Sequence, residues 1–157
     1  MIELNTGAIS FPNLSLTLSP MSTRESFLSS FTQGRFHKLR DTASGCSWYG
    51  AKEKIYADDT EVPIWLCFNS DDRLSSVELY PQFACEMSPE GFPLDAEETE
   101  QKYCAAWLQK YCSLTWSDTG FPWGTICNDY DARSDSCGIV IRYSKQDEKA
   151  GICRLFS

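Results

Sequence analysis

Histidine is almost absent from this chain: among 157 residues there is one, His37. An imidazole general base therefore has one place to sit, and a histidine-based metal site has one ligand. Cations are scarce as well, with 14 Lys and Arg against 22 Asp and Glu, a net charge of -8. Nucleic-acid binders carry a basic face and charge-held membrane proteins a basic cluster, so this balance argues against both. No run of about 18 apolar residues occurs, and no helical membrane span is expected. Met1-Ile2-Glu3-Leu4-Asn5 lacks the basic stretch and apolar core of a secretory signal, so the expectation is a cytoplasmic protein. There is no phosphate-cradling glycine loop and no Gly-x-Ser-x-Gly elbow; the glycines are spread singly.

What is present is ordinary globular material, 42% hydrophobic and 23% charged. The length suits one domain spanning 1–157, long enough to bury a core without a metal or disulfide staple. Eight cysteines need an account: Cys46, Cys67, Cys85, Cys104, Cys112, Cys127, Cys137 and Cys153. No two lie closer than eight positions, whereas structural zinc sites pair ligands two to four apart. In a reducing compartment such residues act as small buried hydrophobes, and free thiols are the expectation; disulfides are the alternative if the chain is exported. No metal and no cofactor is expected.

Alternation predicts extended segments through 1–18, with Ile2, Leu4, Ile9, Phe11, Leu14, Leu16 and Leu18 as candidate core. Ser22 and Glu25 have the spacing of a capping box, predicting a helix that ends at Gln33-Gly34. Strands follow at 35–40, 47–57, 64–69 and 74–80, the third being the most apolar and expected at the centre. A second helix is predicted from Asp95, with Cys104, Leu108 and Cys112 in its apolar stripe. The last third reads as a hairpin, Thr125–Tyr130 and Cys137–Tyr143, with a short strand at 151–156. Short turns between strands leave no room for parallel crossovers. The expected fold is α+β, a single antiparallel sheet of about seven to nine strands with two helices packed on one face, leaving a more polar face free for a partner.

Candidate chemistry is thin. His37 sits between Phe36 and Lys38, and a cysteine partner for it is not readable from sequence. Asp129, Asp131 and Asp135 are closely spaced, but an EF-hand needs glycine at its sixth position and glutamate at its twelfth, where Ser134 and Val140 stand. Asp58, Asp59, Glu61, Asp71 and Asp72 fall in turns at the two ends of strand 64–69. Acidic turns of this kind are commonly solvated, yet a broad negative field also speeds capture of a basic partner. Trp48, Trp65 and Trp107 are expected in the core. Phe121 and Trp123, beside Gly120, Pro122 and Gly124, either anchor a protein interface or plug the end of the sheet.

Phe121-Pro122-Trp123-Gly124, an Asp-rich turn and Gly138-Ile139-Val140-Ile141-Arg142-Tyr143 resemble the C-terminal segment of small bacterial cytoplasmic proteins. Leu18-Ser19-Pro20-Met21 leading into a helix resembles their start. Such proteins look like the type encoded as immunity partners of bacterial competition toxins, including contact-dependent ones. Residues 19–80 more loosely resemble half of the β-lactamase-inhibitor-protein type of fold, which also binds proteins through its sheet. The resemblance implies a non-enzymatic protein whose partner is a cognate protein toxin, a basic nuclease by charge complementarity, with Asp58, Asp59, Glu61, Asp71, Asp72, Phe121 and Trp123 as partner-binding residues. The competing expectations are a small hydrolase centred on His37, and a structural or homodimeric module using the open sheet face.

Overall fold

The computed structural model describes residues 2–30, 33–57, 60–82, 96–114, 120–131 and 136–144. Its N-terminal strands β1 (Ile2–Glu3), β2 (Ala8–Phe11) and β3 (Leu16–Leu18) form an antiparallel sheet of their own. Ile2, Ile9, Phe11, Leu16 and Leu18 are buried, as the alternation demands.

Helix α1 (Arg24–Leu28) is shorter than expected and is capped differently. Thr23, extended at φ -107 and ψ 156, accepts from the backbone N–H of Ser26, whose side chain reaches back. Ser22 is drawn out of the capping role because its carbonyl accepts from Leu74 N–H and its hydroxyl from Ser19 N–H.

Strands β4 (Phe36–Asp41) and β5 (Ser47–Ala51) follow. The strand expected over 47–57 breaks after Ala51 and returns as a separate hairpin, β6 (Tyr56–Ala57) and β7 (Thr60–Glu61). Lys54 Nζ then meets Glu61 Oε2 at 2.8 Å. Next come β8 (Ile64–Phe68), β9 (Leu74–Leu79), helix α2 (Ala96–Cys112), β10 (Gly120–Phe121), β11 (Gly124–Asp131) and β12 (Ser136–Tyr143). The proposed strand at 151–156 and the N-cap at Asp95 lie outside the described residues.

The main sheet has seven antiparallel strands in the order β10-β11-β12-β9-β8-β5-β4. The α+β class and the large antiparallel sheet are as expected. Its middle strand is β9, and β8 lies one place over, because β12 returns to pair with β9. No local pattern in β8 reports that long-range pairing.

Alternation then assigns two faces. Ile64, Leu66, Phe68, Val77, Leu79, Ile139, Ile141 and Ile126 project to the covered side and are buried. Phe27 of α1 lies on that side, its ring 5.2 Å from Phe36, 5.4 Å from Tyr49 and 5.4 Å from Phe68. Helix α2 buries Cys104, Leu108 and Cys112 there, and Asn128 Nδ2 donates to the Gln101 carbonyl at 3.5 Å. Each such aliphatic or aromatic side chain contributes about 1.5–3 kcal/mol on burial. Both helices therefore sit on one face.

Candidate functional site

The opposite face of the seven-stranded sheet has no described helix or strand packed over it. Cross-strand register lays out its side chains in rows. One row runs His37, Gly50, Trp65, Glu78, Val140 and Cys127. The next runs Arg40, Trp48, Cys67, Ser76, Arg142 and Thr125. Six strands at about 4.8 Å spacing make a surface roughly 24 Å wide.

Its larger side chains are Trp48, Trp65, Tyr80, Arg40 and Arg142, while Gly50, Cys67, Ser76 and Val140 lie buried among them. Trp65 is 40% exposed although it belongs to the most apolar strand. The reason is parity: Ile64, Leu66 and Phe68 take the covered side and leave Trp65 on the other. The expectation that Trp65 is core is thereby corrected, and Trp48 is half-buried on the same face. The Arg40 guanidinium carbon stands 5.4 Å from the Trp48 ring centroid. The rings of Trp65 and Tyr80 pack at 4.9 Å, and Tyr80 lies directly over Gly138. A Cβ at 138 would fall 2.7 Å from the Tyr80 ring, so glycine there is what lets the ring lie flat on the sheet.

Glu78 stands on the middle strand, between Trp65 and Val140. The Tyr80 hydroxyl donates to its Oε2 at 2.7 Å. Burial pushes its carboxyl above the usual range, against the pull of that hydroxyl and of Arg142. Arg142 is committed elsewhere: Nη2 donates to Asp129 Oδ2 at 2.7 Å and Nη1 to Cys127 Sγ at 2.9 Å.

The residues singled out by sequence do not form one patch. Glu61 pairs with Lys54 at one end of β8. Asp71 and Asp72 lie at the other end, in a turn whose Asn69 side chain accepts from Asp71 and Arg73 N–H at 3.0 Å each. Asp72 adopts φ 65 and is structural: Arg24 Nε meets its Oδ1 at 2.6 Å, and Glu25 N–H reaches Oδ2 at 3.3 Å. Asp58 and Asp59 lie outside the described residues. Trp123 is 9% exposed, with Phe121 stacked on it at 5.0 Å. Burial pushes the neighbouring Tyr143 phenol up, and its hydroxyl donates to the Gly7 carbonyl at 2.9 Å. Trp65, Glu78 and Tyr80 are the members that sequence reasoning missed. The alternation in 64–68 and 74–79 carried that signal for the first two.

Other chemistry is sparse among the described residues. His37 is exposed on the outermost strand β4, opposite Gly50, and no described cysteine or carboxylate hydrogen-bonds to it. No group of three or more potential metal ligands occurs there, and no helix is long and apolar enough to cross a membrane. No disulfide joins the six described cysteines, Cys46, Cys67, Cys104, Cys112, Cys127 and Cys137. A cavity of about 270 Å³ lies on the covered side, walled by Ile2, Ile9, Ile64, Leu79, Trp107 and Cys112. Its lining is apolar, and burial pushes the Cys112 thiol up to about 11, which keeps it protonated at neutral pH.

No protein-family model matches the chain, and no curated protein matches its sequence. Among solved structures, the chain is similar to one from a structure described as Rhs1-CT in complex with cognate immunity protein RhsI1. The TM-score is 0.61 at 16% identity, covering 94% of this chain and 89% of that chain. At that identity the likeness establishes a shared fold.

Proposed function

We propose that this chain is an immunity protein that binds a bacterial competition toxin and blocks it by covering its working surface, without performing chemistry of its own. The observation that carries the reading is the fold shared along nearly the whole chain with a member of a toxin–immunity pair. The inhibitor role suits what the sheet presents: a broad face of Trp, Tyr and Arg side chains and a net charge of -8. Opposite charge accelerates encounter, so the partner surface is basic, as in a toxin that handles nucleic acid. Of the described acidic residues near the ends of β8, Asp71 adds to that field, while Glu61 and Asp72 are offset by Lys54 and Arg24; Asp58 and Asp59 add charge by sequence. The half-buried Phe121 sits at the far edge of the sheet, on β10. Trp123 contributes by holding Phe121 in place, since its own ring is buried.

The test is co-expression with the product of the neighbouring reading frame, which this reading expects to be the toxin. The toxin is expected to copurify with this chain, and its producer to survive. A toxin that neither copurifies nor is neutralised would overturn the reading.

A further inference from the structure

Glu78 occupies a position that calls for a partner. It lies on the middle strand of the sheet, at the centre of the open face, half-buried. One carboxylate oxygen accepts from Tyr80, and no described cation forms an ion pair with the group. Two guanidiniums on this face act on it from a distance, against the like charge of Asp129: Arg142 is turned to Asp129 and Cys127, and Arg40 lies over Trp48. A carboxylate taken partly out of water with no cation in direct contact is costly to keep ionised, and a cation placed against it offsets that cost.

The walls beside Glu78 are aromatic. Trp65 is its cross-strand neighbour and is 40% exposed; Tyr80 packs on Trp65 at 4.9 Å. An indole face next to a carboxylate attracts a cation twice, through the ring quadrupole and through charge. The same face already displays the stacking half of this arrangement, with Arg40 over Trp48. A guanidinium suits it better than an ammonium, because its plane can lie on the indole while its edge forks to the carboxylate.

Resting on the immunity reading above, we infer that Glu78, Trp65 and Tyr80 form a receptor for one arginine side chain of the protein partner, at the centre of the interface. The acidic turns steer the basic partner in, and this receptor fixes its register.

Two measurements on the full chain test the inference apart from the reading it rests on. The first is toxin affinity. Glu78→Gln, which keeps the shape and the acceptor for Tyr80, is expected to weaken binding about 30-fold or more, the mark of a hot spot, with Trp65→Leu showing a comparable loss. Affinity of the parent chain should also fall on acidification, as a proton displaces the arginine, and Glu78→Gln should remove that dependence. Equal affinity of parent and Glu78→Gln overturns the receptor while leaving the immunity reading intact. The second needs no toxin: titration with arginine amide should shift the Trp65 indole resonance, and norleucine amide should not. A shift lost in Glu78→Gln supports the receptor even if no toxin binds, an outcome that would overturn only the immunity reading. An indole signal indifferent to arginine amide overturns the receptor.

Discussion

The indole N–H of Trp123 donates to the carbonyl oxygen of Leu4 at 2.6 Å, joining residues 119 positions apart. The ring also covers Gly7, where an added Cβ would fall 2.5 Å from it and where φ is +71. One side chain thus fastens the N-terminal sheet to the turn between β10 and β11. Trp123→Phe keeps a ring but leaves the Leu4 carbonyl without its donor, and should cost about 1–3 kcal/mol. In a chain of this size that lowers Tm by about 2–4 °C per kcal/mol. Thermal unfolding measures it.

Asp72 ties α1 to the turn between β8 and β9. Its backbone carbonyl accepts from Arg24 N–H at 2.9 Å, and its side chain meets Arg24 and Glu25. The ion pair is about one-third exposed on each side, so its own worth is under about 1 kcal/mol. Alanine also tolerates the left-handed backbone poorly, adding about 1 kcal/mol. Asp72→Ala should therefore lose about 1–2 kcal/mol in denaturant melts. Asp72→Asn, which accepts that backbone and can still receive Glu25 N–H, should lose less than half as much.

Glu78 gives the stability a pH dependence opposite to that of a salt-bridged carboxylate. Its folded-state value is raised above 4.5, so the folded chain holds this proton more tightly than the unfolded one. Its contribution is most favourable below 4.5 and is lost as pH rises through the raised value. Glu78→Gln should be the more stable protein at pH 7, with a Tm gain of about 2–4 °C for each kcal/mol recovered. The gain should vanish under acid conditions. A variant less stable than the parent at pH 7 would contradict this account.

The thiols should separate by burial. With Cys85 and Cys153 replaced by serine, the half-exposed Cys46 and Cys127 should react first with an aromatic disulfide reagent. Cys67, Cys104, Cys112 and Cys137 are buried and should wait for unfolding. In the folded chain the Cys112 thiol, at about 11 in place of 9.0, also carries about 100-fold less thiolate at neutral pH. Counting released chromophore against time, native and in denaturant, checks the order.

Much of the fold was legible because the covered face is written in period two. Ile64, Leu66 and Phe68, or Ile139 and Ile141, announce both a strand and its buried side. The helix stripe of Cys104, Leu108 and Cys112 was equally plain. What could not be read is pairing at a distance. That β12 pairs with β9, across the intervening α2 and β10–β11, puts Glu78 on the middle strand of the sheet. The cap at Thr23 was missed because Ser22 and Glu25 carry the right spacing, and only the tertiary bond from Leu74 removes Ser22 from contention. The acidic turns were visible as charge, but their employment by Lys54 and Arg24 was not. The aromatic members of the site were hidden by a sound prior, that tryptophan in an apolar strand is buried.

On β8 and β9, positions that hold the molecule together alternate with positions that face outward. A change at 65 or 78 leaves residues 64, 66, 77 and 79 in their packing. The outward positions can thus be substituted one at a time while the scaffold underneath stays folded.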